Sequence, residues 1–243
     1  MKLKVTFLAL FLCLWQIVSL FFENYVLPSP YTTLLAIFRM IDYNLLNTVV
    51  VSFFRLFLAY VLSVVISVFF SVSSQFSKNI GALIETVMSS IIKVPNIAYL
   101  TIFMLIIGVG SYTVMATIAI TIIPATTLAF IAILKQLDEN ILEVTDIFEV
   151  IYFKRIFYLY LPMIFESFYP VFQMSFSLGF KIMVMAEFIA GVDGLGYKLV
   201  EKKISFNIDE LFGYVVIMTF TGIFFQKLLE VIYLKIKDVH SRI

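Results

Sequence analysis

Long apolar runs separated by short polar segments dominate the chain. A helix needs about 20 predominantly apolar residues to cross the hydrocarbon core of a bilayer. By this measure the sequence predicts six spans, at residues 5–22, 50–72, 80–108, 114–134, 163–188 and 211–233. No strand-like alternation is present, and backbone groups inside a bilayer must satisfy their own hydrogen bonds. The predicted fold class is therefore all-α: a polytopic membrane helix bundle with about six transmembrane helices, in one domain over residues 1–243.

Two prolines interrupt the predicted spans. Pro95 lies within the run 80–108, which is too long for one straight crossing. This run is either a tilted, kinked span or an interfacial helix followed by a span. Pro124 lies inside the fourth run, where it predicts a kink. Pro95 and Pro124 are therefore the candidate helix breaks.

Composition supports a membrane protein. Hydrophobic residues make up 62% of the chain, charged residues make up 14%, and the mean hydropathy is +1.06. A soluble domain carries about 25% charged residues, and so large an apolar excess cannot be buried inside a soluble core of this size. The net charge of +1 gives no indication of a nucleic-acid partner. The solvent that the chain requires is membrane lipid.

Lysine and arginine positions predict the orientation in the membrane. If the N-terminus lies in the cytoplasm, the outer side receives Arg39 and a cluster at residues 198–203. The inner side then collects the larger set: Lys2, Lys4, Lys78, Lys135, Lys154, Arg155, Lys235, Lys237 and Arg242. We therefore expect both termini in the cytoplasm. The first run resembles a secretory signal peptide, but no small-x-small cleavage site follows it, so we expect it to be retained as a helix.

A charged segment stands out between the fourth and fifth spans, on the predicted cytoplasmic side. Acids recur every three or four residues from Glu139 to Glu149, and Asp138 is a suitable N-cap. The spacing predicts a helix over residues 138–150, with Ile141 and Phe148 on its apolar face. This helix either lies on the membrane surface or docks into a partner, with its apolar side chains in a groove and its acids near basic residues.

Ionisable residues inside the predicted spans are candidates for function, because such groups usually face an interior path. Glu166 and Lys227 lie near helix ends, where snorkelling accounts for them. Lys181 lies deep inside the fifth run. It either snorkels outward or pairs with Glu187, or it contacts an anionic substrate or a gate. Lys181 and Glu187 are therefore the candidate residues of a translocation path.

The sequence lacks the residue sets that catalysis requires. No G-x-x-x-x-G-K-[ST] phosphate-binding loop is present, and the glycine cluster GVDGLG at residues 191–196 does not follow a strand, so we expect it to be a turn. His240 is the only histidine and Cys13 the only cysteine. Neither a nucleophile triad containing histidine nor a zinc site can be assembled from them. We expect no enzyme activity, no cofactor and no metal.

Several segments resemble the permease subunits of bacterial ABC importers, in particular the nitrate/sulfonate/taurine-type permeases. A cytoplasmic loop of that family has the pattern E-A-A-x3-G-x9-I-x-L-P. In this chain Glu143 takes the first position and Glu149 the position of the glycine. Leu161 and Pro162 take the last two positions. Further similar segments follow in the family's order: LPSP at 27–30, KVPNIAYLTIFMLIIGVG at 93–110, LDENILE at 137–143, AEFIAGVDGLGY at 186–197 and KLLE at 227–230.

The resemblance implies a type I permease that forms the translocation path for a small solute by alternating access. Its implied partners are a second copy of the chain, two cytoplasmic subunits that bind and hydrolyse ATP, and an extracytoplasmic substrate-binding protein. Residues 135–161 would form the loop that couples to the ATPase, in the bacterial inner membrane. The implied solutes are nitrate-, sulfonate- or taurine-like anions or thiamine-precursor-like compounds. A secondary transporter or channel is the alternative, although no repeat relates the two halves of the chain.

Overall fold

The computed structural model describes residues 2–23 and 25–240, and these residues contain helices and no strand. The helices are α1 (Lys2–Ser19), α2 (Pro30–Met40), α3 (Tyr43–Ser73), α4 (Lys78–Ile92), α5 (Asn96–Ile107), α6 (Ser111–Leu134), α7 (Glu139–Ile147), α8 (Tyr152–Arg155), α9 (Leu161–Glu166), α10 (Phe168–Ala190), α11 (Leu195–Ile204) and α12 (Ile208–His240), with a π-helical turn, Ile156–Tyr160, between α8 and α9. The predicted all-α fold class is confirmed. Arg242, which entered the orientation argument, lies outside the described residues.

Within the described residues, four helices are long and apolar enough to cross a membrane: α3, α6, α10 and α12. The pair α4 and α5 reaches the same standard only when the two helices are taken together. The first helix, α1, is apolar over Ala9–Ser19. These elements correspond to the six apolar runs of the sequence.

Proline breaks the third run but not the fourth. The axes of α4 and α5 meet at 87° at a break that contains Pro95. Proline has no N–H to donate and disfavours a helical conformation in the residue before it, so the chain turns there. A straight span over residues 80–108 is therefore ruled out, and α4 and α5 form either one broken span or a re-entrant loop. Pro124, in contrast, is buried inside the continuous helix α6, which does not end there, and the kink predicted at this residue stays a prediction.

The fifth predicted span, 163–188, is also divided, which the sequence analysis did not foresee. Helix α9 ends at Glu166 and the spanning helix α10 begins at Phe168. Pro170 stands in the first turn of α10 and has no N–H for the carbonyl of Glu166. That carbonyl instead accepts a hydrogen bond from the hydroxyl of Tyr233 on α12, at 3.2 Å. The crossing helix therefore starts later than predicted.

Small polar side chains hold α3 against α6, the most extensive helix pair of the bundle. Ser63, Ser67 and Ser71 recur every four residues on α3 and are fully buried. The Oγ atoms of Ser67 and Ser71 lie 3.0 and 3.2 Å from the carbonyl oxygens of Ile123 and Thr127 on α6. Small residues let two helix backbones approach closely inside a membrane, and hydroxyls add hydrogen bonds between them.

Helix α10 completes the core by packing on α3 and α6. A Cβ at Gly179 would lie 2.7 Å from Cδ1 of Ile122 on α6 and 3.2 Å from Cδ1 of Leu56 on α3, so a larger residue there would require the Ile122 side chain to shift. The core of the protein is thus the bundle of α3, α6 and α10. Helix α12 packs on the outside of this bundle, against α2, α10 and α11.

The bundle has two ends with different loops. At the end that we call the α7 end, the hydroxyl of Tyr152 donates to the carbonyl of Val72 at 2.8 Å, and its ring stacks on Phe76. At the opposite end, which we call the α11 end, α11 joins α10 to α12 and contacts the start of α3. Trp15 of α1 lies near Phe212, at the start of α12, so α1 finishes at the α11 end.

Candidate transport and coupling sites

Helix α7 begins where the sequence predicts. A carboxylate oxygen of Asp138 accepts the backbone N–H of Asn140 at 3.0 Å and its side-chain amide at 2.7 Å. This is the hydrogen bonding expected of an N-cap residue. The helix ends at Ile147, however, so the predicted helix over 138–150 is too long. The chain leaves the helical conformation because Glu149 has a φ of +48°.

Glu149 terminates the helix in the left-handed conformation. The N–H of Val150 donates to the carbonyl of Thr145 at 2.9 Å, the six-residue hydrogen bond of a Schellman motif. The residue before that N–H is usually glycine, because only glycine adopts positive φ without cost. This gives a physical reason for the glycine in the family pattern at the position of Glu149. The requirement there falls on the backbone, and the Glu149 side chain itself is exposed.

Arg155 supports the same helix end. Its Nε donates to the carbonyl of Val150 and its Nη2 to the carbonyl of Thr145, both at 3.0 Å. A cation at a helix C-terminus satisfies free carbonyls and interacts favourably with the helix dipole. From the sequence alone, Arg155 contributes only to the count of cytoplasmic charges. The structure gives it a positioning role for α7.

The first residues of α9 fix this segment to the bundle. Pro162 lies in the first turn of α9, a position where proline is common, directly after the π-helical turn. Leu161 packs on a buried cluster that includes Phe130 and Leu134 of α6 and Ile164 of α9. Of the two residues that the family pattern pointed to, Leu161 therefore anchors the segment, whereas Pro162 is exposed.

An apolar surface on and just after α7 is left uncovered by the residues that the structure describes. Phe148 is 75% exposed, and Glu143 is exposed close by. Large apolar side chains next to charged ones, uncovered on a rigid element, are typical of a surface that binds a partner. We use the name α7 surface for Ile141, Val144, Ile147, Phe148 and Ile151.

At the α11 end, a buried ion pair joins α3 to α10. Arg55 is 4% exposed and Glu187 is 0% exposed, and Nη1 lies 2.9 Å from Oε1. The Glu187 carboxylate also accepts the hydroxyl of Ser52 at 2.8 Å and the N–H of Gly196 at 3.0 Å. A buried charge is tolerated only when it is paired and hydrogen-bonded in this way.

Arg55 extends the contact to two further segments. Its Nε donates to the hydroxyl of Ser111, at the start of α6, at 3.0 Å. The guanidinium also donates to the carbonyl of Asp193 at 3.1 Å and to the Asp193 carboxylate. The planar guanidinium has several donors in fixed directions, so it can hold several acceptors at once. The Arg55–Glu187 network therefore connects α3, α6, α10 and the loop before α11.

The glycine cluster at 191–196 wraps around this carboxylate. A Cβ at Gly194 would lie 2.4 Å from Oε1 of Glu187, and a Cβ at Gly196 would lie 2.7 Å from the Glu187 Cβ. Gly194 also has a φ of +102°. The cluster lies in a turn and the start of α11, where the sequence analysis predicted a turn. The structure adds that the glycines are needed because the backbone passes so close to Glu187.

Arg55 is not among the residues predicted above, although the sequence carries a signal for it. Arg55 lies near the start of the second apolar run and Glu187 near the end of the fifth. The second and fifth spans cross in opposite directions, so these two ends lie at the same face of the membrane. Opposite charges at the same depth in two spans predict a contact.

Lys181 and Glu187 lie on different faces of α10. Glu187 is buried against α3, whereas Lys181 is exposed and forms no ion pair or hydrogen bond with the described residues. The pairing of Lys181 with Glu187 that the sequence allowed does not occur, because Arg55 occupies the carboxylate. The burial of Glu187 also removes it from the exposed face, so its position does not support the predicted place on a translocation path.

A groove surrounds Lys181 between α10 and α12. Its volume is about 190 Å³, and besides Lys181 it is lined mainly by Phe176, Ser177, Phe180, Met218, Thr219 and Gln226. Gln173, Ser177 and Lys181 recur every four residues, so they form one polar stripe along the outer face of α10. This stripe interrupts a surface that is otherwise apolar.

The long apolar helices, with further short helices at the α7 end and the α11 end, define a polytopic membrane protein. Residues 6–236 match the family described as binding-protein-dependent transport system inner membrane components, and the chain belongs to that family. It is a permease subunit of an ABC importer, and members of the family act with ATPase and substrate-binding partners. No curated protein sequence matches the chain.

Removal of one member of the buried ion pair should destabilise the bundle. Glu187→Gln keeps the shape of the side chain but leaves the Arg55 guanidinium with only the half-exposed Asp193 carboxylate. Breaking a buried pair in this way typically costs about 3–5 kcal/mol. We expect the purified variant in detergent to unfold at a clearly lower temperature than the parent.

The matched control is the exposed pair of Lys135 and Glu85, whose closest N–O distance is 2.7 Å. Lys135→Gln should change the stability by less than about 1 kcal/mol, because solvent screens such pairs. Equal effects of the two substitutions would contradict a structural role for the Arg55–Glu187 network.

Glu149→Gly should stabilise the end of α7. A non-glycine residue in the left-handed conformation costs about 1 kcal/mol, which corresponds to about a fivefold change in an equilibrium constant. We expect the Val150 amide to exchange its hydrogen about fivefold more slowly in Glu149→Gly, measured by mass spectrometry on peptides covering 145–155. Glu149→Val, with a branched Cβ, should exchange faster than the parent. Unchanged exchange in both variants would show that this backbone conformation is not present.

Proposed function

We propose that the chain forms the solute path of an ABC importer as one of two copies, and that the α7 surface docks on the ATPase subunit. The observation that carries this proposal is the contrast within one segment. The α7 surface is exposed, whereas the segment that follows it is fixed to the bundle by Tyr152 and Leu161. Arg155, in that segment, holds the end of α7 through the carbonyls of Val150 and Thr145. A partner that moves α7 would therefore move the bundle with it.

Tyr152 is the main mechanical link between α7 and the spanning helices. Its hydroxyl donates a hydrogen bond to the carbonyl of Val72 in the last turn of α3. Its ring stacks on Phe76, which follows α3, with the ring centroids 4.0 Å apart. Burial raises the pKa of the Tyr152 hydroxyl to about 12, so this group keeps its proton and its hydrogen bond at neutral pH. Downstream, the π-helical turn and α9 lead directly into α10. Rigid-body shifts of this kind are a common basis of alternating access.

The proposed orientation places the α7 end and both termini in the cytoplasm. ATP would then be bound and hydrolysed by the ATPase subunit under the α7 surface. The α11 end would face the substrate-binding protein, which selects the solute. The solutes that we propose are those of the nitrate/sulfonate/taurine type or thiamine-precursor-like compounds.

We also place Lys181 on the solute path, at the contact between two copies. It lies about 20 Å along α10 from Phe168 and about 13 Å from Ala190, near the middle of the crossing. An ammonium group facing lipid at that depth costs several kcal/mol, so such residues usually face protein or water. A second copy related by a two-fold axis and packed on the outer face of α10 would surround Lys181 with protein and with the water of a solute path.

Truncation of the largest side chain of the α7 surface tests the docking proposal. Phe148→Ala should reduce the ATPase subunit recovered with the affinity-purified permease, because a buried aromatic at an interface contributes more than about 2 kcal/mol. That is a loss of affinity of about thirtyfold or more. A channel or secondary transporter would recover no ATPase subunit with either protein.

Tyr158→Ala is the control, because Tyr158 is 82% exposed at the same end of the bundle but lies outside α7. It should leave the recovery unchanged. If Phe148→Ala retains its ATPase subunit and transports at the parental rate, the α7 surface is only a solvated loop.

Lys181→Met tests the path. The substitution keeps the length of the side chain and removes the charge, so solute uptake should fall several-fold while assembly and basal ATP hydrolysis stay at parental levels. Uptake into reconstituted vesicles and ATPase assays on the same preparation measure both. Unchanged uptake would remove Lys181 from the path.

A further inference from the structure

We propose that the groove between α10 and α12 binds the transported solute through an anionic group, with Lys181 as its counter-charge. This inference rests on the proposed function and narrows its proposed solutes to those that carry an anionic group. It starts from the polar atoms that the groove presents and from the hydrogen bonds that these atoms already form.

The two hydroxyls in the groove have no hydrogen to offer a ligand. Ser177 donates to the carbonyl of Gln173 at 2.8 Å, and Thr219 donates to the carbonyl of Val215 at 2.9 Å. Each hydroxyl carries one hydrogen, which these bonds use, so both groups act toward a ligand as weak acceptors only.

The donors that remain are the ammonium of Lys181 and the amide of Gln226. Neither side chain forms a hydrogen bond with the described residues, and both line the groove. An ammonium has three N–H donors and an amide has two. An anionic group that carries oxygen atoms can accept from both at once, and the charged donor makes these bonds stronger than neutral ones.

No carboxylate neutralises the groove from within the described residues. Glu187, the acid that follows Lys181 on α10, is bound by Arg55. At the start of α12, Glu210 is bound by Lys202 on α11 at 2.7 Å. The positive charge of Lys181 is therefore left for a ligand. In the low dielectric of a membrane protein, an uncompensated charge attracts an opposite one strongly.

The walls indicate a small ligand. Phe176, Phe180 and Met218 give the groove an apolar lining, and Gly222 keeps it open, since a Cβ there would lie 3.3 Å from the ring of Phe180. The volume of about 190 Å³ is close to that of an engineered cavity that holds benzene, about 150 Å³. The groove therefore suits a small organic anion with an apolar body, or an inorganic anion with water.

The experiment measures the charge at the groove without knowledge of the solute. Cys13→Ser removes the only cysteine, and Ser177→Cys then places one thiol a single helical turn from Lys181. Membrane vesicles carrying the assembled transporter are treated with an anionic methanethiosulfonate reagent, the ethylsulfonate, and a cationic one, the ethyltrimethylammonium. The ratio of the two rates is compared between the protein with Lys181 and the same protein with Lys181→Gln.

We expect the ratio of anionic to cationic modification to be about tenfold higher with Lys181. One charge at about 6 Å gives this difference even at the dielectric constant of water. Val65→Cys in the same background is the control. Val65 lies on an exposed apolar part of α3, about 12 Å along the helix from the α7 end, which is a depth similar to that of Ser177. A cysteine there should react with neither reagent, because its surroundings are apolar.

Two results would overturn the inference. Equal ratios with Lys181 and with Lys181→Gln would show that the groove does not select anions. Failure of Ser177→Cys to react with either reagent, as for Val65→Cys, would show that neither water nor a solute reaches this face of α10. Recovery of the ATPase subunit from the same vesicles tests the permease function separately, so neither result can be mistaken for a failure of the proposed function.

Discussion

The buried contact between Arg55 and Glu187 sets the arrangement of the spanning helices. It joins α3 to α10 at one end, and its further partners bring in α6 and the loop before α11. Because a lone charge at this site would be costly, the two helices cannot slide or rotate without losing the pair. The rotation of α10 is thereby fixed: Gly179, Met183 and Glu187 face the core at four-residue intervals. The polar stripe with Lys181 must then face outward.

The same contact connects the two ends of the protein. Helix α3 runs without a break from the Arg55–Glu187 network to the carbonyl that Tyr152 holds at the α7 end. Along its length, buried serines keep it close to α6. Helices packed so closely move as a unit, since a packed core has discrete arrangements and does not deform continuously. A displacement of α7 would therefore be passed along α3 to the loop around Glu187.

Features that depend on composition and local spacing could be predicted from the sequence. The apolar runs identified the membrane class, and Asp138 marked the start of α7. Features that depend on long-range contacts or on the conformation of one residue could not. Arg55 and Glu187 are 132 residues apart, and their contact requires the register of two helices. Glutamate has a high intrinsic helix propensity, yet Glu149 lies where the backbone adopts the left-handed conformation.

The prolines of the apolar runs affect helix continuity differently from one site to the next. Pro95 ends one helix and begins another at a right angle, whereas Pro124 is accommodated inside α6. Pro170 lies at the start of a spanning helix, where the freed carbonyl of Glu166 finds Tyr233 as a donor. The effect of a proline depends on its position in the helix and on the groups that neighbour the freed carbonyl. Those neighbours are known only from the packed structure.

The most direct test of the central claim is site-specific cross-linking of the α7 surface in the assembled transporter. In the cysteine-free background, Phe148→Cys labelled with a photoreactive benzophenone should capture the ATPase subunit. Phe206→Cys, equally exposed just after α11, should not capture it. Capture of the ATPase subunit from Phe148→Cys alone is the result that this account predicts. Capture from neither position, or from Phe206→Cys alone, would contradict it.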